Sequence, residues 1–141
     1  MMKTVYHSSP DNISNFNFSL GVHFGGKFSA LEAGNRKLSN LIRYRDSQQD
    51  HLFLYTCTLT NVPFYETDDV GGPEAWEKEI EKARKEGFDL IRYWNKYEPD
   101  SECSYIVLNP KLINVIQIES LFKKEVEKLL KSHLETSTFF F

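Results

Sequence analysis

The order of its segments constrains this chain more than any other feature: runs with strand character dominate, and stretches with helical spacing are set between them. Lys3 to Ser8 reads as a short strand and Pro10-Asp11-Asn12 as turn chemistry. Gly21-Val22-His23-Phe24-Gly25-Gly26 is a brief strand bracketed by glycines, and Phe28 to Leu38 has near-helical spacing of Phe28, Leu31 and Leu38. His51 to Val62, rich in Leu, Phe, Tyr and Thr, reads as a long strand, and Pro63 to Pro73 as a loop. Glu74 to Glu86 is a charged helix with Trp76, Ile80 and Ala83 on one face and Gly87 as its stop. Phe88 to Trp94, Ser104 to Leu108 and Ile113 to Ile118 read as strands, with Asn95 to Cys103 a polar loop between the first two. Leu121 to Leu134, within residues 119–135, reads as an amphipathic helix with Leu121, Phe122, Val126, Leu129 and Leu130 inward. This order predicts an α+β fold, a split mixed or antiparallel sheet of about six strands with flanking helices.

The 141 residues show no repeat, no low-complexity linker and no break in composition, so one domain over residues 1–141 is expected. Hydrophobic residues make up 40% of the chain, enough for a core. Aromatics make up 14%, which fits an aromatic-rich core better than a ring-binding groove. The terminal Phe139-Phe140-Phe141 is too apolar to leave in water, so it is expected to pack on the domain or meet a partner.

The net charge of −3 argues against broad non-specific binding to nucleic acid, which needs a surplus of cations facing phosphates. Arg36, Lys37, Arg43 and Arg45 form a local basic run, best explained as a solvated helical face. Cys57 and Cys103 lack C-x-x-C spacing and read as ordinary buried thiols in a reducing compartment. His7, His23, His51 and His133 do not fall at metal-ligand spacing, so no metal site is expected. Neither G-x-G-x-x-G, a P-loop nor a G-x-S-x-G elbow occurs. Nothing resembles a signal peptide, and no segment approaches the roughly 20 apolar residues of a membrane span. The expectation is a cytoplasmic protein with no membrane role, one that a dedicated injection system can still deliver into a target cell.

Three stretches carry the chemistry together: Tyr6-His7-Ser8-Ser9, then Gly21-Val22-His23-Phe24-Gly25, and then Gly87-Phe88-Asp89-Leu90-Ile91-Arg92-Tyr93-Trp94-Asn95-Lys96-Tyr97-Glu98 followed by Ser104 to Ile113. In order and spacing they resemble small phage and bacterial ADP-ribosyltransferases of the diphtheria-toxin and poly-ADP-ribose-polymerase branch. Members of that branch open with Tyr-His-Gly-Thr/Ser and continue with a Gly-x-His/Tyr-Phe strand. They close with Tyr-x-Asn-x-x-Glu before a Ser-Tyr-Ile/Val-Val-x-Asp/Asn-Pro strand. The resemblance covers residues 4–116. It departs at Ser8, where the family has Gly, at His23, in the place of the family's tyrosine, and at Ser104, where the polymerase branch has its catalytic glutamate.

The resemblance implies mono-ADP-ribosyl transfer with NAD as substrate, by a toxin, effector or phage-conflict protein. NAD glycohydrolysis and a catalytically inactive NAD-binding module are the alternatives. The implied catalytic residues are Glu98 and His23, with Glu102 or Asp100 as alternatives to Glu98. The implied NAD-binding residues are Tyr6, His7, Ser8, Gly21, His23 and Phe24, with the Tyr6-His7-Ser8 backbone meeting the nicotinamide amide. The implied partners are a macromolecular acceptor, with the net charge favouring protein over nucleic acid, and an inhibitor or antitoxin.

Overall fold

A computed structural model describes residues 2–94 and 103–139, without the side chains of Ile13 and residues 135–139. The chain runs β1 (Met2–Ser9), β2 (Val22–Phe24), α1 (Lys27–Arg45), β3 (His51–Thr60), β4 (Tyr65–Asp68), α2 (Pro73–Lys85), β5 (Leu90–Trp94), β6 (Cys103–Val107), β7 (Ile113–Phe122) and α3 (Lys123–Phe139). The fold is α+β, as expected, with the strands split between two sheets. One has the order β1-β3-β7 and is antiparallel throughout; the other has the order β2-β6-β5-β4, with only β4 and β5 parallel.

The alternation of side chains along each strand decides what packs where. Tyr55, Cys57 and Leu59 of β3 join Val5 of β1 and Val22, Phe24, Leu90, Tyr105 and Val107 of the second sheet in one buried cluster, so the sheets lie face to face. Leu52 and Leu54, on the other face of β3, pack with Leu31 and Leu38 of α1 and Val126 of α3. On the outer face of the second sheet, Trp76 and Ala83 of α2 meet Ile91, Tyr93, Ile106 and Leu108. Strand β3 therefore has buried residues on both faces, Leu52 and Leu54 on one and Tyr55, Cys57 and Leu59 on the other.

Several boundaries differ from the sequence reading. The C-terminal helix begins at Lys123, not near residue 119. Glu119–Phe122 instead extend β7 along His51–Leu54, with Leu121 opposite Leu52. Leu121 is apolar in either register, so periodicity cannot separate a strand end from a helix start there. Phe122 and Leu129, expected inward, are exposed, whereas Val126 is buried. The segment expected to be a loop, Pro63 to Pro73, contains β4, whose polar Glu66 pairs with Arg92 of β5 at 2.7 Å. Helix α1 runs on to Arg45, where Asp46 in a left-handed conformation ends it. The expected stop of α2 at Gly87 is present, with φ +82° and its N–H donating to Arg84 O. The expectation for Phe140 and Phe141, and for the Phe139 side chain, lies outside the described residues.

Helix α1 sits close on β1 because Gly34 has no side chain. A Cβ there would come within 2.8 Å of Ser8 Cβ and 2.9 Å of its carbonyl carbon. Elsewhere in a helix, Gly→Ala gains about 1 kcal/mol from propensity. Here overpacking, which costs about 1–3 kcal/mol, should win. Gly34→Ala is expected to lower stability to urea, and adding Ser8→Gly to restore part of it; a more stable Gly34→Ala protein would show that α1 can shift freely.

Candidate functional site

The two sheets touch along an edge at a single point. Tyr6 N–H donates to Gly25 O at 2.8 Å, and Gly25 N–H returns a bond to Tyr6 O at 2.9 Å. A Cβ at Gly25 would stand 2.6 Å from Ser104 Oγ on β6, so a side chain there would turn the Ser104 hydroxyl aside. Beside this corner opens a cleft of about 1260 Å³. One wall is a face of α1, Ser29, Ala33, Arg36 and Asn40, spaced at the three and four residues of adjacent helical turns. The opposite wall is the start of α2 with the loop before it, including Asp69, Trp76, Glu77 and Ile80. The floor is Tyr6, His7, Ser8, His23, Phe24, Tyr93 and Ser104.

His7 and His23 are joined through the backbone. His7 Nδ1 donates to His23 O at 2.5 Å, because a carbonyl can only accept. This fixes the Nδ1–H tautomer and leaves Nε2 as an acceptor. The His7 ring lies edge-on to Phe16 at 4.6 Å and tilted to Phe24 at 5.4 Å. Burial among these rings lowers its pKa to about 4, with the His23 carbonyl opposing the shift and Lys37 adding to it. The His23 ring lies 2.9 Å from Tyr93 Oη through Nδ1 and edge-on to Trp76 at 5.6 Å. It has accessible surface, but that surface faces the cleft interior, and desolvation there lowers its pKa to about 4 while Asp69 opposes the change. Both imidazoles are neutral at pH 7.

The expected NAD-binding residues separate under this geometry. Tyr6, His7, Ser8, His23 and Phe24 line the cleft; Gly21 does not. The missing side chain of Gly21, at φ +82°, makes room for Ile106 Cγ2, which a Cβ would approach to 2.6 Å. The backbone of Tyr6 is engaged by Gly25, which removes it as the group to meet a ligand amide. Since amides alternate sides along an antiparallel strand, Ser8 presents its backbone to the same side as Tyr6, away from β3. Its Oγ is buried and has no hydrogen-bond partner among the described residues. Glu98, Asp100 and Glu102 lie outside the described residues.

Trp76, Tyr93, Arg36 and Asp69 join the site although the sequence reading had not assigned them there. Trp76 and Tyr93 stack tilted at 4.7 Å and form an aromatic wall beside His23. Trp76 carried a signal, as the large aromatic on the inward face of α2, but that face reads equally well as core. The basic run divides: Arg36 lines the cleft, Lys37 pairs with Asp11 at 3.3 Å, and Arg43 lies over the Tyr44 ring. Arg84 Nη2 donates to Ser19 O at 2.6 Å and so ties the turn at Phe18–Leu20 to α2 at the rim. Cys57 takes no part, since burial pushes its thiol up to about 11. Among the described residues, no group of three or more His, Cys, Asp or Glu side chains has metal-site geometry, and no helix is long and apolar enough to cross a membrane.

The fold and cleft together define a two-sheet α+β protein whose pocket opens where the sheets meet. No family model and no curated protein matches the sequence. Among solved structures, a chain of the M. tuberculosis MbcT–MbcA toxin–antitoxin complex has this fold, with a TM-score of 0.66 at 8% identity, over 93% of this chain and 90% of that one.

A histidine with a lowered folded-state pKa binds its proton less readily than in the unfolded chain. Its contribution to stability is complete above the unfolded value of 6.5 and is lost as pH falls toward 4. Thermal unfolding midpoints should therefore drop between pH 6.5 and 4, and the drop should be smaller in His7→Gln. An identical pH profile in that variant would mean that His7 is not held neutral by its surroundings.

Proposed function

We propose that this protein breaks the nicotinamide–ribose bond of NAD and transfers the ADP-ribose to a macromolecular acceptor, acting as a toxin, effector or phage-conflict protein. The observation that carries this reading is the convergence of His7, Ser8, His23, Phe24, Trp76 and Tyr93 on one cleft, drawn from motifs far apart in the sequence. At about 1260 Å³ the cleft exceeds the roughly 300–1,000 Å³ common for small-molecule sites, so a dinucleotide can be accommodated.

The residues suit the substrate chemically. The nicotinamide of NAD is a cation, and the Trp76–Tyr93 wall offers aromatic faces that favour one. His7 Nε2 is free in its bonding role to accept from a ribose hydroxyl. As the C1–N bond breaks, its electron pair goes to the pyridine nitrogen and positive charge develops on the ribose. A protonated histidine beside that charge would oppose it. The desolvation that keeps His7 and His23 neutral at pH 7 removes that penalty. The acceptor's nucleophilic atom then bonds to C1 and gives up its proton to a carboxylate or to water.

A carboxylate close to C1 would stabilise the developing charge. Ser104, in the family's glutamate position, cannot do so. Glu98 is the proposed catalyst, with Glu102 and Asp100 as alternatives, and Asp69 is the described cleft carboxylate with an electrostatic effect on His23. The net charge of −3 favours a protein acceptor. The toxin–antitoxin complex containing the structural neighbour supports a toxin role and an inhibitor or antitoxin partner. Ser104 favours a second reading, a binding module of this fold that has lost catalysis. Hydrolysis of NAD, with water as acceptor, is the third.

Incubation with labelled NAD distinguishes them. Label on a macromolecule is the expected result; free ADP-ribose would mean hydrolysis, and intact NAD a binding module. Glu98→Gln should bind NAD but lose about 10²–10³ in rate, the usual loss for one electrostatic group. Full activity in Glu98→Gln with a dead Asp69→Asn would move catalysis to Asp69. His7→Ala should weaken NAD binding in calorimetry by about 1–3 kcal/mol, the scale of an unmade polar contact; unchanged affinity would remove His7 from the site.

A further inference from the structure

Among the described residues, the outer edge of β7 is unpaired. A sheet edge offers unpaired N–H and C=O groups to any other strand, and proteins normally blunt it with short length, charge, proline, bulges or a covering element. The other edges are blunted in these ways. Strand β1 is bridged by Gly25 and packed by α1, β2 has three residues, and β4 has four with Glu66 and Asp68 among them. Strand β7 has ten residues, and among the described residues no strand pairs with its outer side. A register shift opposite Thr56 and Cys57 interrupts its first half near Ile116. From Gln117 to Phe122 it carries neither lysine nor proline. Ile118 and Phe122 are 55% and 57% exposed there, while Leu121 packs inward beside Leu31, Leu38 and Leu52.

The sequence of this segment complements itself. In an antiparallel pairing with a second copy, centred on Ser120, Ile118 of each chain falls opposite Phe122 of the other. The small Ser120 side chains meet at the two-fold axis. Glu119, the segment's one charge, falls opposite Leu121 and has both Lys123 and Glu119 of the second copy as diagonal neighbours, so each lysine offsets the repulsion between the two glutamates. Apolar pairs of this kind are the unit of stabilisation between strands. We propose that this protein is a two-fold dimer in which the Gln117–Phe122 edges of two copies pair antiparallel and fuse the β1-β3-β7 sheets into one continuous sheet. In the sheet order β7 lies on the side of β3 opposite β1, so the clefts at the Tyr6–Gly25 corners stay open in the dimer.

Sedimentation equilibrium of the purified full chain tests this without reference to NAD. At roughly 100 µM, a concentration that populates micromolar complexes, the mass should be twice 16.5 kDa. Ile118→Asp should weaken association at least tenfold while leaving the far-ultraviolet circular dichroism unchanged, since the side chain is exposed. If that variant fails to fold, Phe122→Lys serves the same purpose. The double variant Ile118→Asp with Phe122→Lys should re-form the dimer, because each new aspartate falls opposite a lysine of the second copy. A wild-type monomer at that concentration, a dimer unaffected by Ile118→Asp and Phe122→Lys, or a double variant that stays monomeric would each overturn the proposal.

Discussion

The two hydrogen bonds between Tyr6 and Gly25 are the constraint on which the rest of the site depends. Face-to-face sheets held by apolar contact alone can slide, because the hydrophobic effect has no direction. A bridge at one corner stops the sliding at the place where the chemistry is concentrated. It sets His7, the residue after Tyr6, against the carbonyl of His23, two residues before Gly25. It also brings residue 25 close to β6, where the Ser104 hydroxyl occupies the space a side chain at 25 would take. Sheet geometry and site geometry are thus fixed by the same few atoms.

The neutrality of the two histidines follows from that corner. The ladder commits His7 Nδ1 to a carbonyl, and aromatic rings surround the rest of the imidazole. His23 faces the space between β5 and the start of α2, with Tyr93 as its polar contact and Trp76 against its edge. Among the described residues neither ring has a carboxylate in hydrogen-bond contact, so desolvation outweighs the opposing influence of Asp69 on His23 and of the carbonyl on His7. What remains is a pair of uncharged, oriented polar groups in an aromatic surround.

Much of this was legible in the sequence, for reasons that can be traced to particular residues. Strands with buried faces are marked by apolar composition, and β3 and β6 were placed to within a residue or two. Helix α2 was legible from Trp76, Ile80 and Ala83, and its end from Gly87. The motifs pointed to His7 and His23 as neighbours, which lie 16 residues apart in the chain and share a hydrogen bond. Strand β4 was missed because its register with β5 uses polar partners, Glu66 with Arg92, and local patterning has no access to such a pair. The end of β7 was missed because Leu121 satisfies a helical and a strand pattern alike. Gly21 was assigned to the ligand when its missing side chain serves Ile106, since a glycine required by packing looks the same in sequence as one required by a ligand. Arg36 was grouped with its basic neighbours although it turns to the cleft, because a charge run does not reveal which of its members shares a face with Ser29 and Ala33.

Ser104 brings the remaining question of catalysis to a single geometric point. It is buried on the floor of the cleft, on the strand beside Tyr93 and against the open Cα of Gly25. A hydroxyl there can donate or accept a hydrogen bond, but it supplies no negative charge to a developing cation. A chain with this cleft therefore needs its carboxylate from another element if it breaks a glycosidic bond. Among the described residues, the turn between β4 and α2 places one such carboxylate, Asp69, at the cleft. Asp69 Oδ1 accepts from Gly71 N–H at 3.1 Å, so its carboxylate already has an orienting partner. Its field reaches His23. An oriented carboxylate of this kind needs no rearrangement to meet a hydroxyl or a developing positive charge, which is what gives fixed groups their electrostatic effect in a cleft.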